Sequence, residues 1–402
     1  MSETIPTVAG MPAERAPGCP FSPPPELSRL AEESPIVRSV FTDGHEGYLV
    51  TGYALAREVL ADNRRFSSRQ ELMHHPTIDF REQFGDEIPP GLAGDLTALD
   101  EPEHGRLRRM LTGRFTVRRM RMLTERIEEV TAVHLDLMAE QGPPVDLVTA
   151  FAQPIPTMLI CELLGVPYDE RDMFRGHVEN VFGGDASMEE RMASFSALGE
   201  YNAALVAAKR ANPTDDLLSD LTDSEMTPEE HGGIATLLLA AGLDTTASML
   251  ALGVLALLER PEQAAIMRDD PEAVPGAVEE LMRYLSIASP IPRVTLEEVE
   301  LGGQVIPAGT TLMVAVNVAN RDDARFADPG ALDLRRHAAG HLAFGHGVHQ
   351  CLGQQLARVE MRVAFPALLR RFPDLRLAGE AVTRASDASI HGLTSMPVAW
   401  GE

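Results

Sequence analysis

The run Ile234–Leu258 is almost wholly apolar, and it limits what this chain can fold into more than any other segment. It is long enough to cross a bilayer as a helix. Its middle, however, carries Asp244, Thr245, Thr246 and Ser248. An aspartate at the bilayer centre costs roughly 2.5–3.5 kcal/mol on insertion scales. A helix that is apolar on every side suits the centre of a large helical fold. The expectation is a long buried helix with other helices around it, and no membrane association.

The polar interruption carries the first chemical signal. A carboxylate inside an apolar helix is costly unless it is paired. Threonine in a helix bonds back to a carbonyl of the preceding turn and loosens the ladder. A capped kink is the plain reading of Ala241-Gly242-Leu243-Asp244-Thr245-Thr246. A buried acid beside a hydroxyl also suits proton delivery.

A second motif lies near the C-terminus: Phe344-Gly345-His346-Gly347-Val348-His349-Gln350-Cys351-Leu352-Gly353. Leu352, Leu356, Val359, Val363 and Ala367 follow at helical spacing, so a helix is expected after Cys351 with those residues on its apolar face. Free cysteine is ordinarily a small buried hydrophobe. At a helix N-terminus, dipole and amides favour the thiolate instead. A thiolate under a glycine-rich loop is a fitting iron ligand, and the glycines let a flat cofactor lie against the backbone.

Bulk composition narrows the classes. The chain has 402 residues and a net charge of −25, which disfavours a nucleic-acid partner. Its three cysteines, Cys19, Cys161 and Cys351, are odd in number and far apart. That argues for a reducing compartment rather than a disulfide framework. Residues 1–25 are proline-rich with no apolar signal core, and are expected to be extended. Residues 38–60 read as a small sheet and a helix. Residues 66–96 read as an irregular loop. The stretches 101–211 and 227–284 read as helical, with breaks at Gly142-Pro143-Pro144, Gly165, Gly183-Gly184, Pro261 and Pro271. Residues 293–318 read as short strands turning at Gly302-Gly303 and Pro307-Ala308-Gly309.

The pattern Phe-Gly-x-Gly-x-His-x-Cys-x-Gly resembles the haem-ligand loop of the cytochromes P-450, the haem-thiolate monooxygenases. The Ala-Gly-x-Asp-Thr-Thr segment resembles that family's oxygen-binding groove. The resemblance spans roughly residues 35–400 and looks nearest to soluble actinomycete enzymes. It implies a mainly α fold with a small β portion, with haem b between the long central helix and the cysteine loop and helix. Residues 1–34 would form a proline-rich segment and 35–402 a single catalytic domain.

The resemblance also assigns roles. Cys351 would be the axial ligand of the haem iron, with Phe344 and Gly353 beside the cofactor. Asp244 and Thr245 would deliver protons and orient dioxygen. His104, Arg108, Arg293 and His349 would be the cations that meet the haem propionates. Glu280 and Arg283, at i, i+3, resemble the family's structural Glu-x-x-Arg lock. The usual third arginine is missing near Ala331, which leaves Arg335 or Arg336 to replace it. The pocket is expected from the 66–96 loop, the 170–200 region, Leu238, Ala241, Ile287, Ala288, Ile291 and the stretch Ile390–Leu393.

The implied activity is insertion of one oxygen atom from O2 into an apolar C–H bond of a bulky hydrophobic secondary metabolite, such as a polyketide or macrolide. Epoxidation or multistep oxidation uses the same machinery. Electrons would come from NAD(P)H through ferredoxin reductase and a ferredoxin docked near Arg358, in a cytoplasmic monomer. The rival readings are a peroxide-dependent haem-thiolate peroxygenase, a terpene- or steroid-like substrate, and a non-enzymatic haem sensor. Asp244 and Thr245 speak against a peroxygenase, and no segment is left over for a sensor's output domain.

Overall fold

The long apolar run folds as helix α5, Pro228–Leu258, in a computed structural model that describes residues 5–16, 18–75, 93–114, 117–182, 186–385 and 390–401. Its start is defined by a reciprocal cap. The Thr227 hydroxyl accepts the Glu230 amide at 3.2 Å, and the Glu230 carboxylate accepts the Thr227 amide at 2.9 Å. Pro228 sits at the first helical position, where no donor is needed. Beyond the first turn most of α5 is buried on all sides, as its composition requires.

Helices α4 (Pro154–Leu164) and α7 (Gln354–Arg371) pack directly on α5, as does the helix Met188–Ala211. Gly242 allows the approach of α4: a Cβ there would lie 2.7 Å from Ile160 Cγ1. Among the described helices of eighteen residues or more, α5 is the one apolar enough to cross a membrane, and it is mostly enclosed by protein. Helix α4 ends at Gly165 in the left-handed region (φ 70°), the expected break. The break at Gly183-Gly184 lies outside the described residues.

A six-stranded sheet stands beside the helices. Its strands are β1 (Thr7–Ala9), β2 (Ile36–Val40), β3 (Glu46–Val50), β4 (Phe66–Ser67), β5 (Ile291–Thr295) and β6 (Thr311–Val314), in the order β1-β2-β3-β6-β5-β4. The β1–β2 and β3–β6 pairs are parallel; the others are antiparallel. The turn at Gly302-Gly303 forms as expected, both residues at positive φ. Helix α2 (Tyr53–Ala61) follows β3, again as read.

Within residues 1–25, read as extended, β1 joins the sheet, and Pro25–Glu33, which carried no sequence assignment, forms helix α1. Leu27 and Leu30 of α1 are buried in one cluster with Val37, Leu49 and Met313. The apolar face of α7 is rotated from the expected one. Leu356, Glu360, Met361, Ala364, Phe365 and Leu368 are fully buried, whereas Val359, Val363 and Ala367 are half-buried. Glu360, an acid, is buried among them.

Candidate active site

Helix α5, the Phe344–Gly353 loop and the start of α7 enclose a cavity of about 470 Å³. Ala241, Gly242, Thr245 and Thr246 line it from α5, and Phe344, Gly345, His349, Cys351 and Gly353 line it from the loop. The two sequence motifs therefore face one space. Gly347 holds the loop at φ 75°, and a Cβ there would lie 2.5 Å from the Leu60 carbonyl of α2. No other residue fits this contact without displacing α2.

Cys351 has much of its surface open to the cavity while lying deep in the protein mass. Burial pushes its thiol up. The amides of Gly353 and Gln354, and the charges of Arg108 and Arg358, pull the other way. Its own amide donates to the Phe344 carbonyl at 2.9 Å, which closes the loop. The thiol sits at the N-terminal side of α7, which begins at Gln354.

Arg108, from helix α3 (Glu103–Thr112), lines the cavity with Arg293 of β5 and His349, and His104 of α3 lies behind the His349 ring. The His104 and His349 ring centroids are 4.1 Å apart. Arg108 donates to the Gln350 carbonyl. Arg293 is deeply buried, which lowers its guanidinium to about 10. Burial lowers both imidazoles, and His349, with Arg293 and His104 adding to the effect, falls to about 3. Both rings offer N–H donors, and Arg108 and Arg293 add positive charge. His104 Nε2 has no hydrogen-bond partner among the described residues, and its Nδ1 is 3.6 Å from Glu101 Oε1. A buried orphan nitrogen near the Arg108 guanidinium, behind the cavity-lining His349, fits an anionic group in the cavity.

On α5, Asp244 and Thr245 point differently, as consecutive helical residues must. Thr245 fronts the cavity and its hydroxyl donates to the Ala241 carbonyl at 2.8 Å. Asp244 is buried away from it and is clamped by Arg384, both oxygens receiving a guanidinium nitrogen at 2.5 Å. Arg384 was not singled out from sequence, and no motif surrounds it.

Glu280 and Arg283 of helix α6 (Val274–Leu285) form a fully buried pair, at 2.7 and 2.8 Å. Arg283 also donates to the carbonyls of Asn320 and Pro329 at 2.9 Å each. The third member is Arg336, whose Nε lies 3.0 Å from Glu280 Oε1. Arg335 turns instead to Asp270 at 3.2 Å.

The apolar wall matches the expectation at Leu238, Ala241, Ile287, Ala288 and Ile291. Ile390 is not part of it: its backbone bridges to Ala288 and its side chain packs on the helical core. Described residues of the 170–200 region are absent from the wall too; Pro156, Ile160 and Leu163 of α4 are there instead. Of the 66–96 loop, Ser68, Gln70 and Leu96 contribute, and residues 76–92 lie outside the described residues. Glu360 also borders the cavity, and burial raises its carboxyl to about 8.

Arg358 is engaged within the chain. It forms two bonds to Glu279, at 2.7 and 2.9 Å, and stacks 4.5 Å over the Phe344 ring. Against the upward push of burial, His341 and Arg358 hold Glu279 down at about 2. The pair is neutral as a unit.

A known protein, cytochrome P450 105C1 of Streptomyces sp, is 45% identical over 385 residues, covering 94% of this chain and 96% of its own. The chain belongs to the cytochrome P450 family. The family model for Cytochrome P450 matches residues 185–380. The crystal structure of CYP105P1 with filipin I superposes at a TM-score of 0.89, with 39% identity and 99% of each chain covered. The mycinamicin VIII C21 methyl hydroxylase of Micromonospora griseorubida, bound to mycinamicin VIII, superposes at 0.88, with 36% identity over 95% of this chain and 98% of its own. This cytochrome P450 is a monooxygenase by family, and the family carries haem and uses dioxygen with electrons from a redox partner.

Proposed function

We propose that this P450 is a haem-thiolate monooxygenase in which Cys351 is the axial iron ligand. It inserts one oxygen atom into an apolar C–H bond of a bulky hydrophobic secondary metabolite of polyketide or macrolide type. The observation that carries the reading is that the Cys351 thiol and the Thr245 hydroxyl, from separate elements, border one apolar cavity. Bound haem supplies dioxygen activation and C–H oxidation.

The residues do the rest. Gly353 and Gln354 amides stabilise the Cys351 sulfur as an anion. Arg108 and Arg293 hold the propionates by charge, and His104 and His349 by N–H donation. Thr245 offers a hydroxyl whose hydrogen bond to Ala241 can be exchanged for one into the cavity. Asp244 supplies protons to Thr245 once Arg384 releases it. Leu238, Ile287 and Ile291 exclude water and orient the apolar substrate.

Two structurally similar chains hold filipin I and mycinamicin VIII, which supports a large substrate. Electrons come from NAD(P)H through a ferredoxin in the cytoplasm, with the protein acting as a monomer. Exposed Arg57 and Arg109 are better docking cations than the paired Arg358.

The reduced protein under carbon monoxide tests the ligand. A red-shifted thiolate-type Soret band is expected, lost in Cys351→His; a histidine-type band in the unaltered protein refutes the assignment. Thr245→Ala should retain that band while diverting electrons to hydrogen peroxide, and unchanged coupling refutes its role.

A further inference from the structure

A second group of ligating side chains lies at the turn between β2 and β3. Asp43 sits in that turn, His45 follows it, and His74 arrives from the 66–96 loop. Asp43 Oδ2 lies 2.7 Å from His74 Nδ1 and 3.1 Å from His45 Nδ1. The three ligand atoms all lie within 4.8 Å of one another. Bonds of about 2.0–2.1 Å to a tetrahedral zinc ion place ligand atoms roughly 3.3 Å apart. Small side-chain movements therefore convert the cluster into a coordination shell.

The backbone already holds two of the donors. Asp43 Oδ1 accepts the His45 amide at 2.9 Å, which sets the carboxylate plane. The His74 amide donates to Thr311 Oγ1 of β6 at 2.9 Å, which fixes the loop against the sheet. The Asp43 side chain is 7% exposed and that of His74 14%, whereas that of His45 is 49% exposed. The first two form a floor and the third a rim. The His45 and His74 rings stack at 3.5 Å with 20° between their planes, so His45 must rotate to aim its Nδ1 at the ion. Its exposure leaves it free to do so.

We propose that Asp43, His45 and His74 bind a divalent transition-metal ion of the zinc class, with water completing the shell. Two imidazoles and one carboxylate suit such an ion; calcium and magnesium prefer oxygen ligands throughout. The bound ion clamps the segment 66–75, through His74, to the β2–β3 turn. That segment contributes Ser68 and Gln70 to the cavity, so occupancy restrains one wall of the substrate site. The metal site itself stands apart from the haem reading and does not depend on it.

The test uses the haem-loaded protein after chelator treatment. Aliquots are equilibrated with zinc chloride, bound zinc is counted by mass spectrometry, and titration calorimetry gives the affinity. Zinc bound at a single site per chain is expected, weakened by about tenfold or more in His74→Ala and in Asp43→Asn. The carbon monoxide spectrum reports that each variant remains folded. Zinc should raise the melting temperature of the parent and leave that of His45→Ala/His74→Ala unchanged. Calcium chloride should do neither. Equal zinc affinity in the parent and the double variant overturns the proposal, as does a parent that retains no zinc.

Discussion

Arg384 grips Asp244 with two parallel bonds of 2.5 Å across 140 residues of sequence. Both side chains are nearly buried, at 8% and 10% exposure. The guanidinium fork matches the carboxylate plane, the strongest geometry available to an ion pair. Removing one partner strands the other charge in the core, at about 3–5 kcal/mol. Arg384→Ala should lose about that much stability in urea unfolding. Combining it with Asp244→Asn should restore part of the loss. A double variant whose loss equals the sum of the two singles would show no coupling between these residues.

Glu360 makes a pH-dependent contribution of opposite character. Burial raises its carboxyl from 4.5 to about 8. Below about pH 4.5 it is protonated in folded and unfolded chains alike, and costs nothing in ionisation. Between 4.5 and about 8 only the unfolded chain releases the proton, so stability falls as pH rises. Above 8 the loss is complete. Glu360→Gln should match the parent near pH 4 and exceed it at pH 8 by on the order of 4 kcal/mol. Denaturant midpoints across that range check it; a pH-independent difference defeats the argument.

The Glu280–Arg283–Arg336 cluster should respond unequally to substitution. Glu280 and Arg283 are fully buried, while the Arg336 side chain is 12% exposed. Arg283→Met leaves Glu280 with Arg336 alone and breaks the bonds to Asn320 and Pro329. It should cost about 3–5 kcal/mol. Arg336→Ala should cost less, about 1–2 kcal/mol, because Arg283 still pairs the acid. Equal losses in the two variants would contradict this ranking.

His104 separates the demands of folding from those of cofactor binding. Its Nε2 is buried without a partner among the described residues. Such a group costs about 1–3 kcal/mol. His104→Leu should therefore leave the haem-free protein as stable or more stable, while haem dissociates faster. Haem transfer to apomyoglobin measures the second quantity, and an unchanged transfer rate would remove His104 from the propionate site.

Much of the site was legible because its chemistry is local. The glycines around Cys351 and the Asp-Thr pair in an apolar helix are adjacent in sequence, and both motifs came to face one cavity. Arg384 was not legible, because a lone arginine far from any motif carries no pattern. Glu360 carried no sequence signal, because nothing in its neighbourhood marks an acid as buried. Arg336 was one of two candidates, and only its reach to Glu280 chose it over Arg335. Ile390, expected in the pocket, does not line the cavity; its backbone bridges to Ala288, which does.

By itself the sequence determined the buried central helix, the cysteine loop and the family. These depend on spacing within a few turns, where backbone geometry converts order into proximity. Tertiary structure decided what Asp244 pairs with, which arginine completes the lock, and that Arg358 is neutralised by Glu279. It also decided which elements wall the cavity and brought His74 to the β2–β3 turn. Each of these joins groups far apart in the chain. Their burial, and hence the strength of their charges and hydrogen bonds, exists only once the core has closed around them.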